Sequence, residues 1–228
     1  VFGERLEAVF AEEAAARGVV VGDRCAAVPH FPEMRIAFAV FARAFVTRPG
    51  RRGVVRRAGR AGGDGFGQHF VVLAAELVAD CDTRVFPVGR LDRDSEGLLL
   101  MTNDGALAQA MLHPSGEVDK VYQVTVSGAL ERAPEHLAAI RMLDGERIRP
   151  AKVEILRRWP GQALLEITIH EGKNRQIRRM CRQVGLNVLR LQRVREHTLS
   201  LGHLKPGKWR YLTEAEIRTL KRSLHYEP

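Results

Sequence analysis

The feature that most constrains the fold of this chain is a short charged loop held between two apolar segments. The loop reads Arg90-Leu91-Asp92-Arg93-Asp94-Ser95-Glu96-Gly97, and the strand-like run Leu98-Leu99-Leu100-Met101 follows it. A polar loop fixed between buried elements suits a preorganised nucleophile or base. Asp92, with an arginine on either side in the loop, is therefore a candidate catalytic carboxylate. The same spacing also fits a simple ion pair in a loop, and the residues alone do not choose between the two.

Periodicity predicts the elements around this loop. Alternating apolar and polar residues predict strands at 121–126 and 164–169, and further strands are expected at 35–45, 189–194 and 209–212. Residues 102–104 can cap a helix that stops near 113–114. Helical spacing predicts a helix from Arg175 to Val184, capped by Asn174 and ended by Gly185. Thr213 and Glu216 form a capping-box pattern that opens a last helix.

Composition shifts divide the chain. Residues 1–33 are predicted to form an N-terminal appendage, with a helix at 4–17 and a strand at 19–21. A proline-flanked piece, 29–32, sets the boundary, and residues 34–228 form the larger domain. Within that domain, residues 49–67 are rich in glycine and arginine and cannot bury a core, so we expect a mobile basic loop there, and a disordered segment without a ligand fits the same composition.

The charge is strongly positive and unevenly distributed. Lysine and arginine number 36 against 27 acidic residues, which leaves a net charge of +9. Arginines crowd residues 43–60, 173–182 and 190–195. Because guanidinium groups bind phosphate in a forked geometry, this pattern indicates a polyanionic partner such as a nucleic acid.

Several classes of protein and site are excluded. No apolar run is long enough to span a bilayer, and no signal-peptide pattern opens the chain. Three widely spaced cysteines form no disulfide framework or metal knuckle, so a cytoplasmic location is expected.

Ligand motifs fail in the same way. Residues 92–97 imitate the start of a calcium loop, but Asn103 stands where its bidentate glutamate would be. Residues 202–208 imitate half of a phosphate loop, but Trp209 replaces the hydroxyl that holds magnesium, so no nucleotide is expected. The histidines lack the spacing of a zinc site. We expect neither a metal nor a cofactor.

Three segments resemble the RsuA branch of the ribosomal RNA pseudouridine synthases, and they follow that family's order along the chain. These are the segment 88–105, the segment Asp119-Lys120-Val121-Tyr122, and the segment Glu171-Gly172-Lys173-Asn174-Arg175-Gln176-Ile177-Arg178-Arg179-Met180. Later matches include Gly185, residues 191–195 and residues 207–213. The resemblance covers about residues 85–217 and leans towards the large-subunit enzymes. It implies an α+β fold with a mixed, mainly antiparallel sheet and flanking helices.

The resemblance also implies the function and its residues. The reaction would be the isomerisation of a specific uridine to pseudouridine in ribosomal RNA, with 23S rRNA as the favoured substrate. Asp92 would be the catalytic aspartate, Tyr122 the ring that stacks on the base, and Arg178 the basic partner that keeps Asp92 ionised. The partner would be ribosomal RNA or a precursor of a ribosomal subunit, bound by a monomer. RNA-binding residues are expected at Arg90, Arg43, Arg51, Arg52, Lys173, Asn174, Arg175, Arg179 and Arg182.

The chain also departs from the family pattern. Where the family's first motif begins with Asn-Lys-Pro, this chain has Phe41-Ala42-Arg43-Ala44-Phe45, and residues 42–84 match poorly. At the N-terminus, residues 13–26 are at best a remnant of the S4-type RNA-binding domain common in this branch. Two other functions stay open: an RNA-binding assembly factor without turnover, and a retaining glycosidase that uses Asp92 with Asp94 or Glu96.

Overall fold

A computed structural model describes residues 36–41, 77–79, 81, 83–113 and 118–226 of the chain. The predicted appendage at 1–33, its boundary with the larger domain, and the Gly/Arg-rich stretch at 49–67 lie outside the described residues. Three predicted RNA-binding residues, Arg43, Arg51 and Arg52, lie outside them as well.

The described chain alternates strands with short helices. The strands are β1 (Ile36–Phe41), β2 (Phe86–Pro87), β3 (Glu96–Thr102), β4 (Lys120–Gly128), β5 (Met142–Leu143), β6 (Glu146–Arg147), β7 (Lys152–Trp159), β8 (Gln162–Ile169), β9 (Leu186–Glu196), β10 (Leu199–Ser200) and β11 (Trp209–Tyr211). The helices are α1 (Gly105–Leu112), α2 (Ala133–Ala139), α3 (Gln176–Gln183) and α4 (Glu214–Ser223).

Nine of these strands form one mixed sheet. Its main path runs β11-β1-β3-β9-β4-β8-β7, with β2 paired to β3 and β10 paired to β9. All pairs are antiparallel except the central one, where β3 runs parallel to β9 through the pairs Glu96↔Gln192 and Gly97↔Arg193. The predicted α+β fold with a mainly antiparallel sheet and flanking helices is confirmed.

Strand β3 is buried on both faces, which explains its uninterrupted apolar sequence. Leu98 and Leu100 pack into a cluster with residues of α1 and α4. Leu99 and Met101 point the other way, into a smaller cluster with Val85. A strand fixed on both faces gives a rigid base to the charged loop that precedes it.

A third cluster covers the other half of the sheet. Side chains of β4, β8 and β9 pack there against helices α2 and α3, with Leu165 and Ile167 of β8 fully buried. The predicted alternation holds at 163–167, where Ala163, Leu165 and Ile167 are buried and Leu164 and Glu166 are partly exposed, but it ends at Thr168, which is buried as well. This cluster holds α3 against the sheet.

Two predicted helix caps are confirmed. The Asp104 side chain accepts hydrogen bonds from the backbone N–H groups of Ala106 and Leu107 at the start of α1. At the start of α4, Thr213 and Glu216 form the expected capping box. Each cap satisfies backbone donors that a helix leaves without partners in its first turn.

The start of α3 differs from the prediction. Asn174 is not the cap: the helix begins at Gln176, and Arg175 at its N-cap adopts a left-handed conformation with φ of 49° and no side-chain capping bond. The buried Gln176 side chain takes over the turn. Its Oε1 accepts from the Lys173 N–H at 3.2 Å, and its Nε2 donates to Glu171 at 3.0 Å. The long amide reaches back where a short asparagine cap was expected.

Candidate active site

A cavity of about 410 Å³ opens where the charged loop, β4, the turn before α3 and the end of β9 meet. Its polar lining includes Arg90, Asp92, Ser95, Lys120, Tyr122, Lys173, Asn174, Arg175, Arg193 and Glu196. Its apolar lining includes Leu91, Leu112, Ile169, Ile177 and Leu191. The sequence segments that the prediction brought together from three distant parts of the chain thus share one cavity.

Asp92 lies in the loop between β2 and β3 and lines this cavity. Its backbone carbonyl accepts from the Ser95 N–H at 2.9 Å, which closes the turn. Leu91 beside it is 4% exposed and anchors the loop in the core. Asp92 lines the cavity, and none of the described residues donates a hydrogen bond to its carboxylate.

The pKa of Asp92 is raised above its ordinary value of 3.8, because burial penalises the charged carboxylate. Arg175, Arg178 and Arg90 each lower this pKa through their charges, and Asp94 raises it. The predicted effect of an arginine on the pKa of Asp92 is therefore present. Burial has the larger effect, so the pKa is raised overall. Arg175 lowers this pKa more than the predicted Arg178 does.

Tyr122 reaches the cavity from β4, on the strand face that packs against the core of β8, α2 and α3. Burial raises the pKa of its hydroxyl, and the nearby positive charge of Arg193 lowers it. The charge of Asp92 also raises the pKa of Tyr122, because both side chains line the same cavity. An aromatic ring and a carboxylate share one partly desolvated cavity.

The arginines at the start of α3 contact Asp94 rather than the candidate carboxylate. Arg175 donates two hydrogen bonds to the Asp94 carboxylate, at 2.7 and 2.9 Å. Arg178 donates from Nη2 to the Asp94 carbonyl oxygen at 2.6 Å, and its Nε lies 3.3 Å from Oδ2. We call these three residues the arginine clamp. The clamp fastens helix α3 to the loop that carries Asp92, and it lowers the pKa of Asp94.

The sequence analysis did not predict a second charged group at the cavity. Arg193 and Glu196 lie at the floor of the cavity, each side chain only 2% exposed, with Nη2 3.4 Å from Oε2. Arg193 Nε donates to the Leu98 carbonyl at 2.8 Å. Lys120 is the cross-strand neighbour of Glu196, and desolvation lowers its pKa. The one available signal was Glu196 itself, an acid at the end of an arginine-rich strand.

The predicted RNA-binding residues divide into two groups. Arg90, Lys173, Asn174 and Arg175 line the cavity. Arg179 is a partly buried side chain that bonds to Asp144 at 3.1 Å, and Arg182 lies exposed in the last turn of α3. Neither of the last two reaches the cavity, so any RNA contact they make lies outside it.

The glycosidase hypothesis loses its second carboxylate. Asp94 is held by the arginine clamp, in which Arg175 donates to both of its carboxylate oxygens, and it does not line the cavity. Glu96, the other candidate, is paired with Arg190. Within the described ranges, no three His, Cys, Asp or Glu side chains are grouped to hold a metal ion. None of the helices in those ranges is long and apolar enough to cross a membrane.

Comparison with solved structures identifies the class of fold. A crystal structure of a pseudouridylate synthase superposes with a TM-score of 0.59 over 82% of this chain and 74% of its own, at 24% sequence identity. That likeness shows a shared fold.

Sequence comparison then identifies the family. The family model described as RNA pseudouridylate synthase matches residues 72–183, a range that includes Asp92, Tyr122 and the arginine clamp. An RNA pseudouridine synthase of Aquifex aeolicus is 41% identical over 157 residues, covering 67% of this chain and 63% of the relative. The ribosomal large subunit pseudouridine synthase B of Bacillus subtilis is 39% identical over 156 residues, covering 65% and 62%. The chain belongs to the RNA pseudouridylate synthase family, and it spans less than two thirds of the length of these relatives.

Proposed function

We propose that this chain isomerises a specific uridine to pseudouridine in ribosomal RNA of the large subunit, with Asp92 as its catalytic aspartate. The observation that carries the proposal is Asp92, which lines a cavity large enough for a base and whose carboxylate accepts no hydrogen bond from the described residues. An unengaged carboxylate beside an aromatic ring suits chemistry on a flipped nucleotide. The Bacillus subtilis relative, named for the large ribosomal subunit, supports the choice of RNA.

The proposed reaction conserves every atom except one exchanged proton. The bond between N1 of uracil and C1′ of ribose breaks, the base turns, and a bond forms between C5 and C1′. The proton on C5 leaves to solvent, and N1 gains a proton. Asp92 attacks C1′ or C6, or removes the 2′ proton, and each route needs an ionised carboxylate. The reaction needs no electron donor or acceptor.

The cavity lining supports the binding step. Flipping a uridine out of its stack costs a few kcal/mol. Stacking of the uracil on the Tyr122 ring offsets part of this cost, since base–aromatic stacking contributes about 1–3 kcal/mol. Arg90, Lys173 and Arg175 at the cavity bind the phosphates that flank the target, as Arg179 and Arg182 do further along α3. Arg178 acts on Asp92 through its charge, from its position in the arginine clamp.

The first test is tritium release from ribosomal RNA labelled at uridine C5, because forming the new bond at C5 frees that hydrogen. We expect release by the wild-type chain and none above background by Asp92→Asn, an isosteric change that removes the carboxylate. RNA binding of the two proteins is matched beforehand by filter retention.

One result would reject the proposal. If neither protein releases tritium from free RNA or from intact subunits, and both bind tightly, the chain is an RNA-binding assembly factor with the same fold. Release by both proteins equally would keep the synthase and reject Asp92 as its aspartate.

Salt dependence tests the RNA partner separately from the chemistry. Binding through arginine–phosphate contacts releases counterions, so affinity falls steeply as salt rises. We expect a linear fall in the logarithm of the binding constant with the logarithm of salt concentration, measured by filter retention for labelled rRNA. A flat response would contradict a phosphate-binding surface.

A further inference from the structure

Lys120 is a cation at the cavity that lacks an ion-pair partner. The residue lines the cavity and is partly exposed. Among the described residues, no carboxylate pairs with its ammonium, and its hydrogen bond is a long one, from Nζ to the Val118 carbonyl oxygen at 3.5 Å. Glu196, its cross-strand neighbour, pairs with Arg193 instead. Because an ammonium has several donors, Lys120 has N–H groups available to a ligand.

Other cations at the cavity are held more closely. Arg175 donates to both carboxylate oxygens of Asp94, at 2.7 and 2.9 Å. Lys173 donates from Nζ to the Arg147 carbonyl oxygen at 2.7 Å. Arg193 donates from Nε to a backbone carbonyl at 2.8 Å, and its side chain is only 2% exposed. A ligand would have to displace these short contacts, whereas at the lysine of β4 it would displace one long hydrogen bond.

The strand geometry places Lys120 near a base stacked on Tyr122. The two residues are alternate positions of β4, so their side chains leave the same face of the sheet, about 7 Å apart at the backbone. Ile169, the neighbour of Lys120 on β8, lines the cavity as well. A Cβ at Gly172, another lining residue, would lie 3.9 Å from Cε of Lys120. The lysine stem therefore passes where the cavity lining has no side chain.

Desolvation of the Lys120 ammonium has no compensating ion pair. Burial lowers the pKa of Lys120, because removal of water penalises the charged form, and the charge of Glu196 raises this pKa. A partly buried charge without an ion pair is unfavourable until an opposite charge or an acceptor meets it. The site therefore favours a ligand group that carries negative charge.

The proposed reaction develops such a charge on the base by each of the routes open to Asp92. After attack at C1′ or removal of the 2′ proton, the N1–C1′ bond breaks and uracil leaves with the bonding electron pair, which spreads over N1, O2 and O4. When Asp92 attacks C6, the electron pair of the C5–C6 double bond moves towards O4. A donor at a uracil carbonyl oxygen would stabilise the charged base in either case.

Resting on the proposed function, we propose that Lys120 is a second catalytic residue, whose ammonium donates to a carbonyl oxygen of the flipped uracil and stabilises the negative charge that develops there. Lys120 keeps its proton, so it acts through electrostatics and not as an acid. The neutral base of the ground state gains less from this contact than the transition state does. The lysine therefore accelerates the reaction more than it tightens binding.

The test measures single-turnover tritium release at saturating RNA, on the rRNA from which the wild-type protein releases tritium. We expect Lys120→Met, which keeps the side-chain length and removes the charge, to slow release by about 10²-fold. Affinity for the RNA, measured by filter retention, should change by less than about two-fold. The control is Lys152→Met on strand β7, where the lysine is exposed and pairs with Glu154. It should match the wild-type protein in both measurements.

Two further variants separate the charge from the side chain. Lys120→Arg restores a cation with donors and should release tritium at least about ten-fold faster than Lys120→Met. Lys120→Gln supplies a neutral donor and should be slower than Lys120→Arg, because hydrogen bonds from charged donors are stronger. Thermal unfolding followed by circular dichroism identifies the folded variants. If Lys120→Met does not fold, the comparison of Lys120→Gln with Lys120→Arg carries the test.

The outcomes separate the two proposals. Slow release by Lys120→Met at unchanged affinity, with recovery in Lys120→Arg, would support the catalytic role. A wild-type rate in Lys120→Met, or equal rates in the Arg and Gln variants, would overturn it and leave the synthase intact. Weaker RNA binding with a shallower salt dependence and an unchanged rate would place Lys120 at a phosphate, which also overturns it. No release by the wild-type protein would overturn both proposals.

Discussion

The molecule places two arginine–carboxylate groups at the same cavity and uses them differently. The arginine clamp at Asp94 is partly exposed to solvent, and Arg175 donates to both of the Asp94 carboxylate oxygens. The floor pair, Arg193 and Glu196, is almost fully buried, with each side chain 2% exposed and Nη2 of Arg193 3.4 Å from Oε2 of Glu196. The difference teaches that solvent screens a partly exposed ion pair, whereas a buried pair leaves a costly unpaired charge when one partner is removed.

The largest expected effects come from removing one positive charge from the floor pair and one from the arginine clamp. Arg193→Met should lower the free energy of unfolding by about 3–5 kcal/mol, since it strands the buried Glu196 carboxylate. Arg175→Met should lower it by less than about 1 kcal/mol, because its pair with Asp94 is solvent-screened. Denaturant titration followed by circular dichroism measures both. Equal losses would contradict the distinction between floor and clamp.

The next largest effect concerns the backbone beneath the floor. Gly97 has φ of +110°, and a Cβ there would meet the Arg193 carbonyl oxygen at 2.2 Å. Gly97→Ala should therefore destabilise the fold by about 3 kcal/mol, through strain and displacement of β9. Gly145→Ala is the control, with φ of +83° but nothing within 4 Å of the added atom. Its loss should be about 1 kcal/mol, measured in the same titration.

The smallest effect is a shift in pH dependence that comes from the clamp. Burial raises the pKa of Asp92, and the charge of Arg175 partly lowers it again. If catalysis needs the ionised carboxylate, tritium release falls as pH drops through this pKa. Arg175→Gln removes the lowering charge, so the pKa rises further and activity is lost at a higher pH. Single-turnover rates at saturating RNA measure this, and an unchanged or acid-shifted profile would contradict it.

Local patterns predicted much of the fold. The alternation at Leu165 and Ile167 gave β8, and Asp104 and Thr213 gave the starts of two helices, because each signal depends only on neighbouring residues. The cap at Asn174 failed since Gln176 competes for the same turn through contacts to Glu171 and Lys173. Short-range rules cannot rank two side chains that both reach one turn.

The site was predicted only in part, because some of its residues can be recognised from local segments while others depend on contacts between distant parts of the chain. Asp92 and Tyr122 stand in segments that can be recognised along the chain, and the structure brings both to one cavity. The burial of Arg193 could not be read from a strand that also carries exposed arginines at 190 and 195. It depends on the parallel pairing of β3 with β9, which joins residues nearly a hundred positions apart.

That parallel pairing is also the seam between two half-sheets. On one side stand β11, β1, β3 and β2, which support the Asp92 loop, and on the other stand β9, β4, β8 and β7, which carry Tyr122. Only two residue pairs define the register across the seam, at Glu96 and Gly97. The relative position of carboxylate and ring is therefore set by a joint that neither residue belongs to. Changes in that joint can retune the catalytic geometry while every group that touches the substrate keeps its identity.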